Sequence, residues 1–179
     1  MGRGYMAEVP FVVLERCTRL AIRASPEAAE AIGGVVGVTL GHAPCRATVA
    51  GDRAALWLGP DEWLLLAPDG DAPTLTTDAA RALGERAASI VDVSHRSVAI
   101  EVRGPHAADT LNAFCALDLD PRAFPIGMCT RTVFGKSEIV LWRTAGDTFR
   151  IDVARSFVPY VLACLEQGGL EFGTHERER

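Results

Sequence analysis

The chain has 179 residues, 49% of them hydrophobic and 23% charged, the balance of a folded domain with a core rather than of a disordered or fibrous chain. A formal net charge of −5 argues against a general nucleic-acid binder, which needs a basic face to neutralise phosphates. No stretch approaches the roughly 20 apolar residues that span a bilayer, and residues 1–16 lack the apolar run of a signal peptide, so a soluble cytoplasmic protein is expected.

Residues 1–10 read as a flexible arm. Arg19–Ser25 alternates with period two and is a strand; Ser25 and Pro26 then suit the N-cap and first position of a helix through Glu27–Ile32. The run Gly33-Gly34-Val35-Val36-Gly37 reads as a C-cap and loop. Arg53–Ala67 contains two strands joined at Gly59-Pro60-Asp61, and Leu75–Ala88 reads as a helix. Val98–Arg103 alternates again, and Gly104-Pro105 opens a helix over His106–Phe114 with Ala107, Ala108, Leu111 and Phe114 on one stripe. Lys136–Val153 is a second strand pair, joined through Ala145-Gly146-Asp147, and Phe157–Gln167 is a helix before the charged tail at 171–179.

The same order of strand, helix, two strands and helix thus occurs twice, offset by about eighty residues. A period this long is not a solenoid repeat. It predicts an α+β fold built from two β-α-β-β-α units with mainly antiparallel sheets, related by a pseudo-two-fold axis. The expected halves are 11–90 and 91–170.

The densest polar cluster is Asp92-Val93-Ser94-His95-Arg96. A nucleophilic triad needs serine, histidine and an acid to converge. Along a strand, Asp92, Ser94 and Arg96 would share one face while Val93, His95 and Ser97 took the other, so Ser94 and His95 would not pair as nucleophile and base. The alternative is that Asp92 and Ser94 cap backbone groups at a strand entrance. Gly135-Lys136-Ser137 resembles the end of a phosphate-binding loop, but Thr130 stands where that motif needs glycine, and a strand follows instead of a helix.

Five cysteines are scattered without a close pair, and His42, His106 and His175 have no carboxylate or cysteine at ligand spacing, so no metal site and no disulfide framework are expected. Trp57, Trp63 and Trp142 fall in strands, where they pack a core or anchor a partner.

The combination of DVSHR at 92–96, RGP at 103–105, LDLDPRAFPIG at 117–127, LWR at 141–143 and RSF at 155–157, with LGPDEWLLLAP at 58–68, resembles the gamma subunit of heterotetrameric sarcosine oxidase. The likeness covers about residues 10–170. More distantly the chain is similar to the glycine cleavage aminomethyltransferase (T-protein) and its folate-binding relatives, whose fold is a duplicated α+β domain with intertwined halves. That family carries a pair of aspartates in a hairpin where this chain has Ser137 and Glu138, which argues against aminomethyl transfer here.

The resemblance implies a non-catalytic subunit that supports a flavin-containing alpha/beta core oxidising sarcosine to glycine. FAD, covalent FMN, NAD, tetrahydrofolate and zinc would sit on the other subunits, and none on this chain. The partners implied are the alpha, beta and delta subunits, with alpha in direct contact and a homodimer when the chain is isolated. Aromatic and arginine side chains dominate interface energetics, so Trp63, Trp142, Arg143 and Arg155 are the expected contacts. A stand-alone folate-binding or aminomethyltransferase-like protein is the alternative, with Asp92, Ser94 and Arg96 holding the pterin.

Overall fold

The computed structural model describes residues 10–175, with side-chain surroundings through residue 170. The expected arm at 1–10 lies almost wholly outside the described residues, as does the end of the expected tail. In chain order the elements are β1 (Phe11–Val13), β2 (Thr18–Ala24), α1 (Pro26–Val36), β3 (Ala47–Ala50), β4 (Arg53–Gly59), β5 (Glu62–Ala67), α2 (Ala72–Leu83) and β6 (Ala88–Asp92). They continue as β7 (Ser97–Arg103), α3 (Ala107–Asn112), β8 (Cys129–Phe134), β9 (Ser137–Ala145), β10 (Thr148–Ala154), a 3₁₀ turn at Arg155–Phe157 and α4 (Val158–His175).

Two five-stranded sheets result, ordered β3-β4-β5-β2-β6 and β1-β7-β10-β9-β8. Reversing the second gives β8-β9-β10-β7-β1, so the two copies of the repeat have equivalent topology. The edge strands are exchanged. β1, which precedes β2, pairs antiparallel with β7, and β6, which precedes β7, pairs antiparallel with β2. The compact units follow sheet membership rather than one cut in the chain. The N-terminal unit is Glu15–Ser97 with Gly127–Thr130; the C-terminal unit takes the segment ending at Leu14, Val98–Ile126 and Arg131 onward.

In the N-terminal unit, period-two alternation on β2 turns Leu20, Ile22 and Ala24 into a core shared with Ile32 and Val36 of α1, Trp63 and Leu65 of β5, and Leu75 and Ala79 of α2. Each buried aliphatic side chain contributes roughly 1.5–3 kcal/mol. Ser25 caps α1 as the sequence suggests, its hydroxyl accepting from the Ala28 N–H at 3.3 Å. The helix runs one turn past Ile32, because burying Val36 rewards continuation, and it stops at Gly37 with φ 74°. Gly33 stays helical inside it; a Cβ there would approach the Leu40 backbone nitrogen at 3.3 Å.

Arg53 joins both helices of this unit. It donates to the Val36 carbonyl at the end of α1 (2.7 Å) and to the Asp71 carboxylate at the start of α2 (2.8 Å). A cation at one C-terminus and an anion at the next N-terminus suit both helix dipoles. α2 ends at Leu83, not at Ala88 as expected, since Gly84 (φ 57°) breaks it and residues 88–92 find ladder partners on β2. Of this segment only Ala88 is expected in the helix; the whole of 88–92 is the sheet's edge strand.

In the C-terminal unit, Ile100, Val102, Leu141, Phe149, Ile151 and Val153 alternate inward along their strands. β9 and β10 form the expected hairpin at Ala145-Gly146-Asp147, with Leu141 opposite Ile151. α3 is shorter than expected, ending at Asn112. α4 is longer than expected, continuing through Gly168. A Cβ at Gly168 would lie 3.0 Å from the Thr110 carbonyl, so its absence permits close approach of α4 to α3.

Candidate functional site

Asp92 closes β6 and residues 93–96 turn into β7, so the polar cluster is not the continuous strand expected. Strand alternation therefore does not separate Ser94 from His95; their partners do. The Ser94 hydroxyl donates to Asp92 Oδ1 and accepts from the backbone N–H of Arg19 at 2.9 Å. Asp92 Oδ1 also accepts from the Ser94 N–H at 2.9 Å, closing an Asx turn. His95 Nδ1 accepts from Arg16 at 2.8 Å. The main chain adds Val93 N–H to the Arg19 carbonyl and Arg96 N–H to the Val93 carbonyl, each at 2.9 Å.

Hydrogen bonding from the Ser94 hydroxyl, then from its N–H, holds the Asp92 carboxyl below the ordinary carboxylate range. Of the three candidate pterin ligands, the turn ties Asp92 to Ser94, while Arg96 is exposed at its end. The capping alternative describes what Asp92 and Ser94 do: they fasten the β6–β7 turn to the start of β2.

Of the four expected interface residues, two are interior. Trp63 is 1% exposed and donates its indole N–H to the Gly41 carbonyl at 2.7 Å, with His42 edge-on to its ring. Arg143 is 3% exposed, and its guanidinium donates to the carbonyls of Leu119 (3.1 Å), Phe124 (2.8 Å) and Gly146 (2.9 Å). Neither presents the exposed surface expected of an anchor; burial satisfies both inside their own units. Trp142 is half-buried on β9, and its enclosed indole N–H meets no acceptor among the described residues.

Arg155 is exposed in the 3₁₀ turn that leads into α4. Beside it Phe157, 40% exposed, packs edge-on against Tyr160, a residue that sequence reasoning did not single out. A phenylalanine at the amphipathic start of a helix reads as core, so only its exposure marks it.

The hairpin joining β8 to β9 carries Ser137 and Glu138. Ser137 is buried, its hydroxyl donating to the Glu138 carbonyl at 3.2 Å, and the Glu138 carboxylate lies 3.7 Å from Arg131. Gly135-Lys136 forms the tip of this hairpin between two strands, which is not the setting of a phosphate loop. Among the described residues no group of three His, Cys, Asp or Glu side chains is placed to hold a metal ion, and no helix is long and apolar enough to cross a membrane.

The duplicated α+β architecture is shared with glycine cleavage aminomethyltransferase T from Bartonella henselae: TM-score 0.66 over 89% of this chain and 45% of that one, at 13% identity, a likeness of fold alone. A chain of heterotetrameric sarcosine oxidase from Corynebacterium sp. U-96, solved with pyrrole 2-carboxylate, matches with TM-score 0.86 at 30% identity, covering 94% of this chain and 90% of that one.

Residues 21–171 match the model of the sarcosine oxidase, gamma subunit family, and the chain belongs to that family. It is 34% identical over 164 residues to the sarcosine oxidase subunit gamma of Corynebacterium sp. (strain U-96), covering 89% of this chain and 78% of the relative. The subunit of that name from an Arthrobacter species is 30% identical over 160 residues.

Proposed function

We propose that this chain is a non-catalytic gamma subunit that supports assembly of a heterotetrameric sarcosine oxidase in the cytoplasm. Its role is to hold the flavin-containing alpha/beta core that oxidatively demethylates sarcosine to glycine, with alpha as the subunit it touches. The observation that carries this reading is the near full-length likeness to a chain of such an oxidase, 30% identical at TM-score 0.86. The internal bonding of the polar turn supports a structural part for this chain, because Asp92 and Ser94 spend their hydrogen bonds on each other and on the Arg19 backbone. FAD, FMN, NAD, tetrahydrofolate and zinc belong on the other subunits. Arg155, Phe157 and Trp142 are the contacts this reading assigns to the partner, as exposed or half-buried aromatic and arginine groups.

The test is co-expression of the alpha, beta and delta subunits with and without this chain. The reading expects a flavin-bearing complex that assembles, or survives dilution, only when the chain is present, while the chain alone is colourless and inactive on sarcosine. A fully assembled active complex without it would overturn the proposal. So would micromolar tetrahydrofolate binding by the isolated chain, which is the outcome expected of a stand-alone folate protein.

A further inference from the structure

Two thiols distant in sequence come together in the N-terminal unit. Residues 127–130 run antiparallel to the segment at 45–47, with an isolated bridge between Arg46 and Met128. Flanking it, the Ala47 N–H donates to the Gly127 carbonyl at 2.8 Å and the Cys129 N–H to the Cys45 carbonyl at 2.9 Å. This register sets Cys45 opposite Cys129. Opposed residues of an antiparallel ladder have Cα atoms about 4.5–5.5 Å apart, within the roughly 4.4–6.8 Å that a disulfide spans.

The two cysteines are unlike. Cys45 is partly exposed, and its φ of 55° makes it the one non-glycine residue in the left-handed region among the described residues. Such backbone is costly for a residue with a Cβ and is retained where the surroundings impose it. Cys129 is fully buried, with its Sγ 3.6 Å from the Trp57 carbonyl. Burial pushes its thiol up to about 12; the neighbouring Cys45 thiol pushes in the same direction. Cys129 therefore stays protonated while Cys45 meets solvent.

We infer that Cys45 and Cys129 form an oxidation site, in which a hydroperoxide converts the two neighbouring thiols to a disulfide. The Cys45 sulfur, as thiolate, attacks a peroxide oxygen; the O–O bond breaks, leaving a sulfenic acid and, from hydrogen peroxide, one water. The Cys129 sulfur then attacks the Cys45 sulfur, the S–O bond breaks, and the leaving hydroxide takes the Cys129 proton as a second water. Two thiols lose two electrons, and one peroxide is reduced to two waters. The bond pins residues 127–130 to the turn at Cys45, both within the N-terminal unit.

The full-length chain is treated with equimolar hydrogen peroxide, alkylated without reduction and digested with trypsin. The expected product is peptide 24–46 linked to peptide 123–131, with free thiols falling from the five of the reduced chain to three (5 − 2). Cys45→Gly, which suits the left-handed backbone, removes the link and leaves Cys129 unmodified. Cys129→Ala leaves Cys45 as a sulfenic acid that dimedone traps. Oxidation of Cys45 to sulfinic acid without a link in the parent chain, a link from Cys45 to any other cysteine, or five intact thiols would each overturn the inference.

Discussion

The guanidinium of Arg143 stacks over the ring of Phe149, its carbon 5.0 Å from the ring centroid, in the interior of the C-terminal unit. The guanidinium also donates to the carbonyls of Leu119 and Phe124 in the loop before β8, and to that of Gly146 in the β9–β10 turn. One planar donor fork thus satisfies three backbone acceptors and a π face, which a lysine cannot match.

Arg143→Met keeps much of the volume and leaves those carbonyls unpaired. A destabilisation of about 3 kcal/mol is expected, with Tm lower by roughly 6–12 °C. Arg143→Lys keeps the charge but not the fork and is expected to lose about half as much. Urea unfolding at neutral pH measures both; a change under about 0.5 kcal/mol for Arg143→Met would contradict the role assigned to the buried cation.

Gly135 and Gly51 both have positive φ, 58° and 60°, but their surroundings differ. A Cβ on Gly135 would collide with the Tyr160 hydroxyl, the group that accepts the Lys136 N–H at 3.1 Å, whereas nothing lies within 4 Å of a Cβ on Gly51. Gly51→Ala is expected to cost about 1 kcal/mol from backbone strain alone. Gly135→Ala adds the collision and is expected to cost at least about 2 kcal/mol, read by thermal unfolding of the two variants side by side.

The Asp92 carboxyl titrates below its ordinary value because Ser94 hydrogen-bonds to its charged form. Its folded pKa is thus below the unfolded value of about 3.9, so its contribution is complete above that value and is lost as pH falls through the folded pKa. Ser94→Ala removes the main cause of the shift and also the acceptor of the Arg19 N–H. At neutral pH the variant is expected to be about 1 kcal/mol less stable. Between about pH 5 and pH 2 it should lose less further stability than the parent does, so the two urea midpoints converge in acid. Parallel midpoints over that range would show that the Asp92–Ser94 pair is not coupled to folding.

Arg155 and Phe157 are exposed, so changing them should leave the isolated chain's stability within about 0.5 kcal/mol. If this turn meets a partner subunit, the double change Arg155→Glu with Phe157→Ala should lower recovery of co-expressed alpha subunit at least about tenfold, corresponding to about 1.4 kcal/mol. Unchanged recovery would place the contact elsewhere on the chain.

Sequence reading succeeded where short-range physics dominates. The alternation of Leu20, Ile22 and Ala24, the Ser25 cap with Pro26 behind it, and the two hairpins each depend on residues a few positions apart. These sufficed for the repeated strand-helix-hairpin order, the α+β class and, through the motifs from DVSHR to RSF, the family. The edge strands were not legible in the same way. Phe11–Val13 is too short to show a period, and the apolar helix pattern extends past Gly84 to Ala88, the residue on which the edge strand at 88–92 begins.

The tertiary structure alone decided which strand each edge joins, because a backbone ladder accepts any extended segment brought into register and its selection depends on partners far along the chain. β1 thus completes the sheet of the later repeat and β6 that of the earlier one. It likewise decided that DVSHR ends a strand and turns at Ser94, since the donor that fixes Ser94 is the Arg19 N–H, 75 residues away. And it turned Trp63 and Arg143 inward, where their polar atoms find carbonyls that no local pattern announces. The sequence determined the repeating units and the family by local pattern; long-range pairing and burial determined how their edges are exchanged and which of the conspicuous side chains remain at the surface.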